Sequence, residues 1–206
     1  MCATATDKGE SILLWSYRPP IDAGPESVLP TDVCDAITIA DAACATSAAP
    51  TYLPEVNIGG VVFWDGGLLN NNPIQRLWNA RFDLAPSPTE SPVVRCILSI
   101  GATMPSRRPS SGGLRIVDTV TKAASYITNT EAEHKDFFCK VRRENYRITD
   151  SETKIEYFRF NAPTGDDDFN LDDYTKMDAI KKYTEDYLVR PDVEATIEKC
   201  ASLLAK

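Results

Sequence analysis

The segment Val61-Val62-Phe63-Trp64-Asp65-Gly66-Gly67 carries the strongest structural signal in the chain, an apolar run that ends in an acid and two glycines. Consecutive apolar residues are typical of a strand covered on both faces in an α/β sheet. Asp65 ends that strand, and open α/β sheets bind ligands beyond the carboxyl ends of their strands. Gly66 and Gly67 would permit a sharp turn and a close approach of the backbone to a substrate. Asp65 is therefore either a partly desolvated general base or the first residue of an ordinary Asp-Gly turn.

Strand and helix patterns alternate along the rest of the chain, which predicts an α/β fold. Further strands are predicted at 11–17, 93–100 and 155–160, the last of them more exposed. Helices are predicted at 35–47, from Pro73 onward with Asn72 as N-cap, over 114–141 with or without a break, at 171–188 and at 191–204. In the first helix we expect Ile39, Ala42 and Ala43 on one apolar side and an end before Pro50.

The net charge of the chain limits the classes of partner that it can bind. The chain has 206 residues, of which 43% are hydrophobic, and a formal net charge of −8, which suits one domain with a core of its own. Such an acidic chain is a poor partner for nucleic acid and for simple electrostatic docking on anionic membranes. A lipid substrate stays open, because acyl chains are recognised by apolar surface. The basic residues Lys140, Arg142, Arg143 and Arg147 either meet phospholipid headgroups or form a solvated helix end.

The cysteines and the single histidine limit the compartment and the chemistry. The six cysteines form no C-x-x-C pair, and no apolar run is long enough to span a membrane. The N-terminal residues MCATATDKGE lack the apolar core of a signal peptide. We therefore expect reduced thiols, a cytoplasmic location, no metal site and no cofactor. His134 is the one histidine, so a Ser-His-Asp or Cys-His mechanism would have to use it, and we predict a solvated helix face for it.

Two motifs occur in order, Ala45-Thr46-Ser47-Ala48-Ala49-Pro50 and then Asp65-Gly66-Gly67 followed by Asn71-Asn72-Pro73. Together they resemble the patatin-like phospholipase family of lipid acyl hydrolases. The resemblance continues through 98–101 and 157–161 to the C-terminal helices, but it looks like only the second half of the family domain. It implies a three-layer α/β/α sheet that is incomplete because the N-terminal strands are missing. The whole of 1–206 would be part of one domain, with a core at about 11–160 and helices at about 171–204.

The resemblance also implies a Ser–Asp dyad that hydrolyses a lipid ester, either a glycerophospholipid or an acylglycerol. Asp65 would take the proton of the serine, and Gly66 and Gly67 would shape the turn. The loop would be supported, and the next helix started, by Asn71, Asn72 and Pro73. The family chemistry needs no cofactor, metal or nucleic acid, and it allows transient contact with a membrane surface and further domains on either side.

The nucleophile of that dyad has no place in this sequence. The family carries it in G-x-S-x-G, where glycines permit a strained elbow, yet no two of the ten glycines here are four positions apart. The family's D-G-G-G-x-R-G oxyanion loop is missing as well. Either the chain is a fragment that begins at an internal Met1, or it is a non-catalytic remnant that binds lipid or protein. In both cases we expect the chain alone to be inactive, and we expect an open apolar sheet edge that favours association.

The sequence also departs from the family pattern at single positions, and two serines could be proposed as a replacement for the missing nucleophile. Cys44 stands where the family has an arginine, Leu69 where it often has a glycine, and Ala102 where Thr-Gly would follow the strand. Ser47 and Ser99 lack the glycines of an elbow, so they are predicted to cap or to pack.

The acidic segment Gly165–Asp173 offers the Asp and Asn spacing of a calcium loop only at its start. The glycine and the glutamate that an EF-hand needs are missing. We expect an acidic loop that caps the following helix.

Overall fold

A computed structural model describes residues 1–17, 36–85, 92–102, 130–164, 169 and 174–205. Contacts group the chain into two compact units. The first comprises Met1–Pro92 and Gly113–Glu133, and the second comprises Val93–Gly112 and His134–Lys206. A single domain over 1–206 stays a prediction.

The first unit contains a four-stranded antiparallel sheet. Its strands are β1 (Cys2–Ala5), β2 (Glu10–Leu13), β3 (Val56–Ile58) and β4 (Val61–Asp65), in the order β2-β1-β4-β3. Gly59 and Gly60 join β3 to β4 with φ of 60° and 86°. Tight hairpin turns require this left-handed conformation, which explains two adjacent glycines at this point.

The core of this unit lies where the sheet meets one helix. Phe63 is fully buried, and around it pack small and branched residues, namely Ala3, Ala5, Ile12, Leu14, Ala42 and Ala45. Burying a phenylalanine side chain is worth about 2 kcal/mol from its apolar area alone. The core therefore depends on one large side chain seated among small ones.

Sheets and helices together confirm the predicted mixed α/β class, whereas the layer order and the missing strands stay predictions. Two details differ. β4 is antiparallel to both neighbours, and Trp64 is 39% exposed, because side chains along a strand alternate between two faces even in an unbroken apolar run. The sequence also does not predict β1, since Cys-Ala-Thr-Ala carries little of the branched and aromatic character that favours strands.

Helix α1 (Ile39–Ser47) packs its alanines on this sheet. Its buried residues are Ala42 and Ala45, whereas Ile39 is 80% exposed. The predicted apolar side that included Ile39 and Ala43 is therefore wrong, and the small alanine stripe is what lets the helix lie close to β4. The predicted end before Pro50 is confirmed.

A capping box starts α1 and gives a testable pH dependence. The Thr38 hydroxyl accepts from Asp41 N at 3.1 Å, and the Thr38 N–H donates to the Asp41 carboxylate at 3.0 Å. The Thr38 hydroxyl also donates to the Asp41 carboxylate at 2.6 Å, and this hydrogen bond, together with that from the Thr38 N–H, lowers the pKa of Asp41.

We expect Thr38→Ala to reduce the free energy of unfolding by about 1 kcal/mol, measured by urea denaturation at neutral pH. The contribution of Asp41 is present above its ordinary pKa and is lost as the pH falls through the lowered one. An equal loss on Ala substitution at Thr149, an exposed threonine outside the box, would contradict the capping role.

The turn after β4 leads into two short helices, α2 (Gly67–Asn70) and α3 (Ile74–Ala80), and then a 3₁₀ turn at Arg81–Leu84. The N-cap of α3 is Pro73, with no side-chain cap. Asn72 is buried and donates its side-chain amide to Thr130 O at 3.1 Å. The predicted capping by Asn72 is therefore wrong, because the helix begins one residue later than predicted and Pro73 takes the N-cap position.

The second unit contains two parallel strands and three helices among its described residues. The strands are β5 (Cys96–Ile100) and β6 (Glu156–Phe160), and the helices are α4 (Thr130–Arg147), α5 (Met177–Leu188) and α6 (Pro191–Leu204). The first four residues of α4 are grouped with the first unit. Short 3₁₀ turns lie at Ser151–Thr153 and Tyr174–Lys176.

The predicted elements of this unit are largely confirmed. α6 begins with Pro191 at its first turn and ends where predicted. β5 begins at Cys96 instead of Val93, and α4 continues past Val141 to Arg147. The predicted helical stretch before Thr130 and nearly all of the acidic loop lie outside the described residues.

Candidate active site

The two sequence motifs meet in the structure. The backbone N–H of Asp65 donates to Ala48 O at 2.9 Å, and that of Gly66 donates to Thr46 O at 3.2 Å. The Thr4 hydroxyl donates to Asp65 O at 2.8 Å from β1. Asp65 is thus held from both sides, by the end of α1 and by the neighbouring strand. These hydrogen bonds bring the two motifs into contact, although they are separated in the sequence.

Gly66 is required for space and not for backbone conformation. Its φ of −62° and ψ of −26° are right-handed helical values that any residue adopts. A Cβ at this position would lie 2.1 Å from Cys2 O. The Thr46 hydroxyl donates to the same carbonyl at 2.6 Å. The backbone therefore approaches a neighbouring strand here, and the predicted sharp turn is not what this glycine supplies.

The Asp65 carboxylate is oriented by one hydrogen bond. Its Oδ1 accepts from Gly67 N at 2.5 Å, a bond across two residues of the turn. Within the part of the chain that the structure describes, the other carboxylate oxygen has no hydrogen-bond partner. The side chain is half-buried and lines a cavity. A carboxylate held at one oxygen and accessible at the other has the geometry of a general base.

The cavity beside Asp65 has a volume of about 700 Å³, within the range of small-molecule sites, ~300–1,000 Å³. Its described lining is apolar over much of its extent, through Leu13, Leu14, Trp15, Ile37, Ile39, Ala42, Leu77 and Ala80. The polar lining gathers near the motif, through Thr46, Asp65, Asn70, Asn71 and Arg76. An acid therefore stands at the edge of an apolar space.

Asn70 links this turn to the first hairpin and to α3. Its backbone N–H donates to Gly66 O at 2.8 Å, and its side-chain amide donates to Ser11 Oγ. Arg76 Nε in turn donates to Asn70 Oδ1 at 3.2 Å. Sequence reasoning singles out neither Asn70 nor Arg76, because their roles depend on Ser11 and Gly66, which are brought close only by folding. Asn70 could have been suspected as the first of three consecutive asparagines.

The family model of the patatin-like phospholipases matches residues 18–78. Residues 18–78 are therefore similar to a segment of the patatin-like phospholipases. This segment contains both motifs and the described residues 36–78 around the cavity, so the predicted family resemblance is confirmed here. A comparison with curated proteins gives no match.

The loop residues of the patatin-like segment divide into two groups. Asn71 and Pro73 line the cavity, whereas Asn72 is buried away from solvent with its amide on Thr130 O. Leu69, at the position that is often glycine in the family, is 46% exposed. Cys44, at the arginine position, is exposed on α1. The support of the loop by Asn71, Asn72 and Pro73 stays a prediction.

The two substitute serines, Ser47 and Ser99, do not line the cavity, whereas the thiol of Cys2 does. Ser47 donates its hydroxyl to Ala43 O within α1, and buried Ser99 accepts from Arg159 Nη1 at 3.0 Å, as expected for residues that cap or pack. Cys2 lines the cavity, but burial raises the pKa of its thiol, and nearby positive charges, Arg76 among them, offset only part of this. A protonated thiol is a poor nucleophile.

His134 belongs to the second unit and takes no part in the cavity. Its Nδ1 lies 3.0 Å from the Tyr157 hydroxyl, and the two rings are tilted at 5.5 Å between centroids. The side chain is half-buried, so the predicted solvated helix face describes His134 only in part. Among the described residues, no group of three or more His, Cys, Asp or Glu side chains could hold a metal ion. The same residues include no helix long and apolar enough to cross a bilayer.

Proposed function

We propose that this chain supplies the general base of a lipid acyl hydrolase, with Asp65 as the proton acceptor of a Ser–Asp dyad. The observation that carries the proposal is the Asp65 carboxylate, oriented by Gly67 N at 2.5 Å and placed at a cavity with apolar walls. The family match over 18–78 supports the same chemistry. The serine would come from a segment with G-x-S-x-G, a pattern that this sequence does not contain.

In this mechanism Asp65 acts twice. It first takes the proton of the serine hydroxyl as the oxygen attacks the ester carbonyl, and it then gives a proton to the departing alcohol. In the second half of the cycle it takes a proton from the water that attacks the acyl-enzyme, and it returns that proton to the serine oxygen as the fatty acid leaves. The oxyanion that forms in each half requires hydrogen-bond donors from the serine-bearing segment. Oδ1 stays on Gly67 N throughout, so the free oxygen does the proton transfer.

The apolar lining favours an acyl chain as the group that occupies the cavity. Each buried CH₂ of such a chain contributes about 0.8 kcal/mol, so a chain of several carbons offsets the loss of its freedom on binding. A glycerophospholipid and an acylglycerol both present this group. A cytoplasmic location stays part of this proposal, and it rests on the scattered cysteines of the sequence.

A second function, lipid binding without hydrolysis, rests on the same cavity and on the missing serine elbow. An exposed cysteine also stands where the family has an arginine, and no thiol replaces a planar five-donor group. In this alternative the cavity holds an acyl chain and Asp65 serves only to order its own turn.

The 206-residue chain by itself should bind a fluorescent fatty acid and hydrolyse no ester above the buffer rate. Joined to a family segment that carries G-x-S-x-G, it should release fatty acid from a phospholipid or an acylglycerol, and the binding-only alternative predicts that it should not. The measurement is fatty-acid release from micelles, with fatty-acid binding as the check that the cavity is formed. Turnover by the unjoined chain that disappears in Asp65→Asn would show that a nucleophile lies within these residues, against the proposal.

A further inference from the structure

Helix α4 has two contrasting faces, and its inner face is firmly attached. Phe137 and Val141 are buried, and the Phe137 ring packs edge-on against Tyr157 at 5.2 Å between centroids. Asn145 donates to Ile155 O and accepts from Ile155 N, both at 2.8 Å. Residues three and four apart share a face of a helix, so these contacts fix which side of α4 points outward.

The outer face of α4 is defined by six exposed residues, Lys135, Phe138, Arg142, Arg143, Tyr146 and Arg147. They follow the helical spacing over about three turns, a length of roughly 18 Å at 1.5 Å per residue. All of them belong to the second unit.

The positive charge of this outer face is not neutralised by neighbouring acids. Among the described residues, no ion pair involves its four basic side chains. The acids of the same helix are Glu131, Glu133, Asp136 and Glu144. From Phe138 to Arg147, Glu144 is the one acid among Lys140, Arg142, Arg143 and Arg147, which leaves a local excess of positive charge toward the end of the helix. The whole chain carries −8, so this local charge is of the opposite sign to the total. Charges farther away than about 8–10 Å are screened at physiological salt, and a docking surface responds to the local charge.

Two aromatic side chains lie among these basic residues. Tyr146 is 93% exposed and Phe138 is 44% exposed. The Arg142 guanidinium lies 6.0 Å from the centroid of the Phe138 ring. Exposed rings next to arginines have an apolar body and a charged or polar rim, the combination that suits the boundary between lipid headgroups and acyl chains.

We propose that the outer face of α4 docks on an anionic phospholipid surface. The arginines and Lys135 contact the headgroup phosphates and carboxylates, and the rings of Tyr146 and Phe138 enter the interface between the headgroups. A nucleic-acid duplex would use the charge, but its bases are already stacked and would give the exposed Tyr146 ring no apolar environment. The net charge of the whole chain predicts poor binding to anionic membranes, but it does not describe the local positive charge on the outer face of α4. Docking does not depend on ester hydrolysis.

The test is co-sedimentation of the 206-residue chain with phosphatidylcholine vesicles, with and without phosphatidylserine. We expect binding only to the vesicles that contain phosphatidylserine, and loss of that binding at high salt. Each basic residue near such a surface contributes on the order of 1 kcal/mol. The double variant Arg142→Glu/Arg143→Glu should therefore weaken vesicle binding by about tenfold or more.

The matched control reverses two exposed lysines of α5, as Lys181→Glu/Lys182→Glu, and should bind as the unchanged chain does. Tyr146→Ser should weaken binding at all salt concentrations, since the ring contributes without charge. Thermal unfolding checks that the variants fold, because every substituted side chain is exposed. Equal losses in the α4 and α5 variants, or equal binding to vesicles with and without phosphatidylserine, would overturn the proposal. Binding to soluble polyglutamate or to RNA without binding to vesicles would also overturn it, in favour of a protein or nucleic-acid partner.

Discussion

Asp65→Asn should abolish ester hydrolysis in a protein that joins this chain to a serine-bearing family segment. The amide oxygen can still accept from Gly67 N, so the turn keeps its shape, but a neutral amide cannot take the serine proton. Loss of one member of a catalytic dyad or triad costs on the order of 10⁴ or more in kcat, and we expect a decrease of this size in fatty-acid release.

The fold should survive this change, because Asp65 is half-buried and its backbone bonds to Ala48 and Thr4 remain. Asp7→Asn, in the exposed turn between β1 and β2, is the matched control and should leave the rate unchanged. Fatty-acid binding should be similar in both variants, which separates loss of chemistry from loss of the cavity. A rate for Asp65→Asn within a few-fold of the parent would remove Asp65 from the mechanism.

Gly66→Ala should destabilise the first unit by about 3 kcal/mol, at the upper end of what overpacking costs. The added methyl group would lie 2.1 Å from Cys2 O, a backbone atom that is itself held by the Thr46 hydroxyl. Because the glycine already has helical φ and ψ, the new residue brings no torsional penalty. The expected loss is therefore steric, and it should appear as a lower urea midpoint.

Gly67→Ala provides the comparison within the same turn. Its Cβ would lie 3.0 Å from Asp65 Oδ1, the end of a side chain that can shift by a few tenths of an ångström. We expect a small loss of stability, about 1 kcal/mol or less, together with a displaced carboxylate and reduced turnover in the joined protein. Similar urea midpoints for the two alanine variants would show that β1 does not hold Cys2 against Gly66.

Asp65 and Gly66 have different roles in the proposed site. Asp65 presents an oxygen to the cavity, whereas Gly66 lets β1 and the end of α1 close around the acid. Asn70 and Arg76 extend that support toward α3. A motif of three residues therefore depends on a shell of backbone contacts that the motif itself does not reveal.

The sequence by itself determined those features that depend on residues close together in the chain. The α/β class, α6 opening at Pro191, the end of α1 before Pro50 and the acid at the end of β4 all follow from periodicity, proline geometry and turn chemistry. The family motifs could be recognised for the same reason, because each is a short run of consecutive residues. Local preferences of this kind are written into neighbouring residues.

Only the tertiary structure decided the features that depend on partners far apart in sequence. Asn72 looked like a helix cap, but its amide bonds to Thr130 O. Gly66 looked like a turn residue, but it makes room for Cys2 O. Ile39 had helical spacing, yet the helix buries Ala42 and Ala45 against the sheet and leaves Ile39 exposed. Hydrogen bonds and close packing between distant segments depend on the folded arrangement. A local sequence pattern does not encode which distant residue a side chain will contact.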